Sequence, residues 1–248
     1  MTNPPTTGDY FPPPRHELLK RLEAGNAALQ AAMQHDIRRF ATGASIVKAA
    51  EDHKTIYRLV SGAAARVRNL EDGRRQIVLI FLPGDLIAVK AMLLDRQPDS
   101  IECLSQCTVR SLACTEAIAL SAANPDVAFR FMWQLAEDER RLHNQVAMLG
   151  RGNAVERIST MLVDINGRLA KLGLADSMPI SIRQQDIADY LGLTIVHVNR
   201  TLRTLREQGV IAVQTGRIAI TDLEAVGRYA APMLDVFERE APEFGGRV

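Results

Sequence analysis

The sequence predicts an α+β chain in three parts: an antiparallel β-sandwich or barrel, one long helix, and a winged helix-turn-helix. Three observations carry this. Gly62, Gly73 and Gly84 punctuate β-rich segments at eleven-residue intervals. Leu135, Leu142 and Leu149 recur every seventh residue after the helix start Asn124-Pro125. Finally, Gln184 to Leu205, QQDIADYLGLTIVHVNRTLRTL, has the apolar spacing of two short helices joined at Gly192.

Taken in chain order, residues 1–17 include MTNPPTTGDYFPPPR, whose five prolines predict a disordered or extended lead-in. Leu18 to Phe40 reads as helical. The segments YRLV, AARVRNL and RQIVLIFL then read as strands, with Glu71-Asp72-Gly73-Arg74 as a hairpin turn. Ser100–Leu104 and Thr108–Ala113 continue the β pattern, so residues 18–123 form one unit. Turn signals every eight to twelve residues are the mark of a sandwich or barrel.

The long helix occupies 124–150, with Asn124 as N-cap, Pro125 at the first position, and Gly150 and Gly152 as the stop. Its stripe of Phe131, Leu135, Leu142, Val146 and Leu149 is coiled-coil-like. Part of that stripe must pack on its own domain. The remainder is the candidate dimer interface, since reading a two-fold DNA site requires two copies.

Residues 151–229 hold the winged module. Ile187 and Leu191 share a face of the first helix; Val198, Leu202 and Leu205 share a face of the second. Gly192 permits the left-handed end of one helix and Thr194 caps the next. Val210–Val213 and Arg217–Ile220 read as a small hairpin about Gln214-Thr215-Gly216. Thr221-Asp222-Leu223-Glu224 reads as a capping box opening a further helix. Residues 230–248 are left as a tail.

The second helix points to double-stranded DNA. From Ile195 to Arg206 it carries Arg200, Arg203 and Arg206 and no acid. Arginine bonds both acceptors of guanine, asparagine reads adenine, and arginine also neutralises phosphate. The candidate DNA contacts are Gln184, Thr194, Val196, His197, Asn199, Arg200, Arg203 and the wing residue Arg217. A solvated helical hairpin is the bland alternative, and the acid-free arginine face argues against it.

Composition agrees. The chain has 248 residues and net charge +1, so it is no polycation, but nine Lys/Arg face six Asp/Glu between Arg151 and Ile220. No apolar stretch of transmembrane length and no signal core appear, so a cytoplasmic protein without membrane association is expected. Cys103, Cys107 and Cys114 make no disulfide framework. His16, His35, His53, His143 and His197 show no ligand spacing, and no nucleophile elbow or phosphate loop is present, so neither an enzyme nor a metal or other cofactor is expected.

YRLVSGAAARV, EDGRRQIVLIFLPGDLI, and DIADYLGLTIVHVNRTLRTL followed by GVIAV are similar to the Crp–Fnr family of bacterial transcription regulators, over roughly Leu18 to Tyr229. The resemblance implies a cyclic-nucleotide-binding-type β-roll, a homodimer, a palindromic operator and RNA polymerase as a partner. The departures bear on the signal. Val89 stands where relatives that bind cyclic AMP carry a ribose-holding glutamate, and Asp99-Ser100 stands where an Arg-Ser pair would clamp the phosphate. The N-terminal cysteine cluster of the oxygen-sensing branch is missing, and three thiols fall short of the four such a cluster takes. The effector is therefore open; the alternative is a regulator answering to a cyclic nucleotide, redox change or haem. In the recognition helix Arg200 matches the family's guanine-reading arginine, whereas Val196 replaces a glutamate that accepts from cytosine.

Overall fold

The computed structural model describes residues 16–174, 182–214 and 217–233. The lead-in up to residue 15, the turn residues Thr215 and Gly216, and the tail beyond residue 233 lie outside them. The first helix, α1 (His16–Ala32), is shorter than the sequence suggested. The stretch turns at residues 33–36 and continues as strand β1 (Ile37–Phe40). The reason is tertiary: Met33 is fully buried beneath the helix end, and β1 pairs with residues Cys107–Arg110.

Eight strands make two antiparallel four-stranded sheets. The others in chain order are β2 (Ser45–Val47), β3 (Thr55–Ser61), β4 (Ala64–Asn69), β5 (Arg75–Phe81), β6 (Leu86–Ile87), β7 (Ser100–Cys103) and β8 (Cys107–Ala113). One sheet runs β1-β8-β3-β6 and the other β2-β7-β4-β5. The turn at Gly73 joins β4 to β5 as its sequence dictated, with Asn69 opposite Arg75 and Gly73 at φ +84°. Between the sheets lies an apolar filling of Tyr57, Leu59, Leu79, Phe81, Ile87 and Val109.

The run IVLIF in β5 is apolar at consecutive positions because both its faces are covered. Leu79 and Phe81 point into the roll. Ile77 and Ile80 join a second core with Ile158, Leu162, Ile187, Leu191, Val198 and Leu205 from the C-terminal helices. The roll and the C-terminal module therefore share one hydrophobic core.

After α2 (Cys114–Ala123), the long helix α3 spans Pro125–Arg151. Asn124 caps it by accepting from the Asp126 backbone N–H, as its sequence signalled. It ends at Gly152, whose N–H bonds the Met148 carbonyl, so Gly150 lies inside the helix. Helix α1 crosses α3 so closely that a Cβ at Gly25 would meet the Asp126 carbonyl oxygen at 2.0 Å.

The buried face of α3 is polar along much of its length. Gln134, Asp138 and Gln145 are buried there beside the apolar Val127, Phe131 and Met148. Asp138 takes an ion pair from Arg66 of β4 at 3.1 Å and a bond from Gln134 at 3.0 Å. Phe131 is only 3% exposed and packs with Leu29, Met33 and Val127 of its own chain. It is thereby removed from the set of interface candidates, because the α1 contact claims it. Leu135 and Leu142 are half-buried against the chain's own cores, while Met132 and Val146 face outward at 54% and 69% exposure. Among the described residues no helix is long and apolar enough to cross a membrane.

Candidate nucleic-acid interface and sensor roll

The C-terminal module begins with α4 (Ala154–Lys171), capped by a reciprocal Asn153–Glu156 box. Helices α5 (Gln184–Leu191) and α6 (Ile195–Glu207) follow. Gly192 sits between them at φ +61°, and the Leu193 N–H bonds back to the Ala188 carbonyl. Thr194 caps α6, its hydroxyl accepting from the His197 N–H at 3.2 Å. Val198, Leu202 and Leu205 point into the shared core together with Ile187 and Leu191. That burial fixes which side of α6 faces solvent.

The exposed side carries Val196, Asn199, Arg200, Arg203 and Arg206, with His197 and Thr194 at the helix entrance. Val196 is 72% exposed. Arg200 forms no ion pair among the described residues. Arg203 does: its Nε donates to Glu207 at 2.8 Å, which raises its pKa above the ordinary arginine value. Glu207 lies one residue beyond the acid-free stretch read from the sequence. Gln184 is exposed at the first position of α5.

The wing is β9 (Ile211–Gln214) paired antiparallel with β10 (Arg217–Ile220). Arg217 is exposed opposite Gln214 at its tip, and Ile211 and Ile218 are buried below. Helix α7 (Leu223–Ala230) is capped by Asp222, which accepts from the Ala225 N–H at 2.9 Å. The cap is thus one residue later than the expected Thr221, whose hydroxyl instead bonds the Gly209 carbonyl at 2.6 Å.

The module is fastened to the roll by polar contacts absent from any local pattern. Arg75 of β5 bonds Asp186 at 2.9 Å and Asp189 at 2.8 Å on α5, and also Glu102 of β7 at 2.9 Å. Asp186 is fully buried and also receives Arg183 at 2.7 Å. Gln76 and Gln145 both donate to the Tyr190 carbonyl. Arg157 donates to the carbonyls of Leu149 (2.9 Å), Gly152 (2.7 Å) and Leu191 (2.9 Å), joining the end of α3 to the end of α5. Asp85, in the turn before β6, is a fourth fastening. It pairs with Arg141 of α3 at 3.1 Å and with Arg168 of α4.

In the roll, Val89 starts a short 3-10 helix (Val89–Met92) and is buried among Leu29, Ile56 and Leu112, outside the space between the sheets. Asp99 is held by Arg68 at 2.7 Å, and the Ser100 hydroxyl accepts from the Ala49 N–H at 3.1 Å. All three positions are thus engaged within the chain. Cys103, Cys107 and Cys114 are buried free thiols. A hydrogen bond with Cys103 and burial raise the Cys107 pKa, while the same hydrogen bond lowers that of Cys103. Among the described residues no three His, Cys, Asp or Glu side chains converge as a metal-binding group.

Two family profiles match: the cyclic nucleotide-binding domain over residues 37–122 and the Crp-like helix-turn-helix domain over residues 156–229. The nitrogen fixation regulation protein FixK of Bradyrhizobium diazoefficiens is 31% identical over 193 residues, 77% of this chain and 81% of FixK. The chain belongs to the Crp–Fnr family. Solved members of the Crp–Fnr family agree. FixK2 from Bradyrhizobium japonicum superposes with a TM-score of 0.71 at 26% identity, covering 78% of this chain and 96% of FixK2. A CRP-family transcriptional regulator from Thermus thermophilus gives 0.66 at 26% identity, with coverage of 78% and 96%. Like its Crp–Fnr relatives, this chain is a DNA-binding transcription regulator and not an enzyme.

Proposed function

We propose that this regulator works as a homodimer reading a palindromic operator, one α6 helix in each major groove. The observation that carries the reading is the outer face of α6, where Val196, Asn199, Arg200 and Arg203 stand exposed on a helix whose other side is locked into the core. Arg200 reads a guanine in each half-site. Asn199 is placed for an adenine, and Val196 for a thymine methyl. Gln184, Thr194 and His197 lie at helix N-termini, where backbone N–H groups favour phosphate. Arg203 and the wing's Arg217 neutralise phosphates.

The dimer forms along the outer face of α3. Met132, Ala136, Glu139, His143 and Val146 are exposed at alternating four- and three-residue steps, the spacing of a coiled-coil seam. Leu135, Leu142 and Leu149 flank this stripe and close it from the side. Residues 18–123 serve as the sensor, 124–150 as the dimer helix and 151–229 as the DNA-binding unit, with RNA polymerase as the partner at promoters. The sensor answers to something other than cyclic AMP, since Val89 and Asp99 offer neither ribose nor phosphate a partner.

Selection from randomised DNA tests the reading. The expected motif is a palindrome with one fixed guanine per half-site and half-site centres about 10 base pairs apart, one helical turn. A selected motif without two-fold symmetry would overturn it.

A further inference from the structure

A cleft opens where α3, α4, α5 and β5 meet, with ≈ 490 Å³ of atom-free space that is partly open to solvent. Its apolar walls include Ile80, Met148 and Met161; its polar walls include Arg141, Gln145 and Thr160. Each of these three polar side chains has buried atoms without a partner: Nε and Nη1 of Arg141, Oε1 of Gln145 and Oγ1 of Thr160. Such atoms are costly to bury unless something meets them. The neighbouring groups are already committed. Arg141 spends Nη2 on Asp85, whose other oxygen takes Arg168 and the Leu82 N–H. Arg168 also reaches Asp164 and the Ile80 carbonyl. Gln145 donates through Nε2 to the Tyr190 carbonyl, which leaves Oε1 as its unpartnered acceptor.

We propose that this cleft is a binding site for a small hydroxylated oxyanion, of the phosphate or hydroxycarboxylate class. Its oxygens accept from Arg141 and Thr160, and its hydroxyl donates to Gln145. The site is walled mainly by α3, α4 and α5, with Leu79 and Ile80 of β5 as its wall from the roll. It touches the long helix, the shared core and, through Gln145, the backbone of α5. An occupant here would therefore tighten the fastening between the roll and the helix-turn-helix. This deepens the regulatory reading above, yet binding is measured without DNA, so either can fail alone.

Inorganic phosphate is the probe, titrated into the full chain by calorimetry at neutral pH in a chloride buffer of constant ionic strength. Phosphate carries both acceptor oxygens and a P–OH donor; sulfate at this pH carries no donor. The expected result is saturable binding of one phosphate per chain, with sulfate weaker. Thr160→Val removes only the unpartnered hydroxyl and should weaken phosphate about 10-fold. Arg141→Gln should abolish binding; should that variant misfold because Asp85 loses a partner, Thr160→Val still decides. Absence of saturable heat at millimolar phosphate overturns the site. Equal binding of sulfate and phosphate, unchanged by Thr160→Val, also overturns it, because such binding belongs to surface charge.

Discussion

Arg200 and Arg203 stand about one turn apart on the same exposed helix, yet their surroundings differ. Arg203 leans on Glu207, whereas Arg200 points outward without an ion pair among the described residues. Arg200→Ala should cost about 1–3 kcal/mol per half-site and relax preference at one base position in a selection experiment. Arg203→Ala should weaken all sequences alike and lower the salt slope by about 1. Because Glu207 competes with phosphate for Arg203, Glu207→Gln should tighten DNA binding without changing the selected motif. At the opposite side of the module, Asp85 shows how a single carboxylate holds two cations. Burial pushes its pKa up, and Arg141 and Arg168 outweigh burial, leaving it below the ordinary 3.8. A carboxylate depressed on folding stabilises fully above its unfolded pKa, and that stability is lost as pH falls through the folded value. The fastening should therefore survive mild acid and fail only below pH 3.8. Asp85→Asn leaves Arg141 without a carboxylate and Arg168 with Asp164 alone, and should cost about 3–5 kcal/mol, read by denaturant unfolding.

At the scale of the element, α3 serves two surfaces with one heptad spacing. Gln134, Asp138, Arg141 and Gln145 turn toward the chain's own roll and C-terminal module, while Met132, Ala136, Glu139, His143 and Val146 turn outward. The leucine spacing revealed a helix with a seam, but it could not assign the seam to a side. Leu142 sits on the border and packs on the core between the sheets. A charge placed there would disturb the roll and the dimer at once. Val146→Glu separates the two. At 69% exposure it carries no packing duty within the chain, so the variant should stay folded by circular dichroism and sediment as a monomer; an unchanged dimer would move the interface off α3. Other elements were legible to differing degrees. Gly73 and Gly192 gave their turns away because both need a left-handed backbone. The switch from α1 to β1 near Met33 left no such mark, since β1 is a strand only by virtue of pairing with β8. The cap of α7 fell on Asp222 because Gly209 takes the Thr221 hydroxyl.

Across the whole molecule, the sequence conveyed the parts and concealed how they are joined. Arg75 lies 111 positions from Asp186 and 114 from Asp189, and no periodicity reports a pair so distant. Most of the proposed DNA contacts fall on one helix, where a local pattern can suggest them; the contacts holding the module to the roll leave no such pattern. One trace did exist: the unbroken apolar run of β5, which an antiparallel strand needs only when both faces are covered. Arg75→Ala removes the partner of the fully buried Asp186, leaving only the exposed Arg183 on it. Amide exchange in α5 should rise ahead of exchange in the roll strands, and the single unfolding transition expected of a shared core should split. Arg157 carries a consequence of a different kind. By tying three carbonyls at the ends of α3 and α5, it works as a keyed shaft: in the proposed homodimer, a rotation of α3 would be passed to the reading head. Such a machine measures distance as strictly as it reads letters. Adding one base pair between half-sites turns one of them by about 34° and shifts it by about 3.4 Å, and the proposed dimer should then seat only one of its two heads.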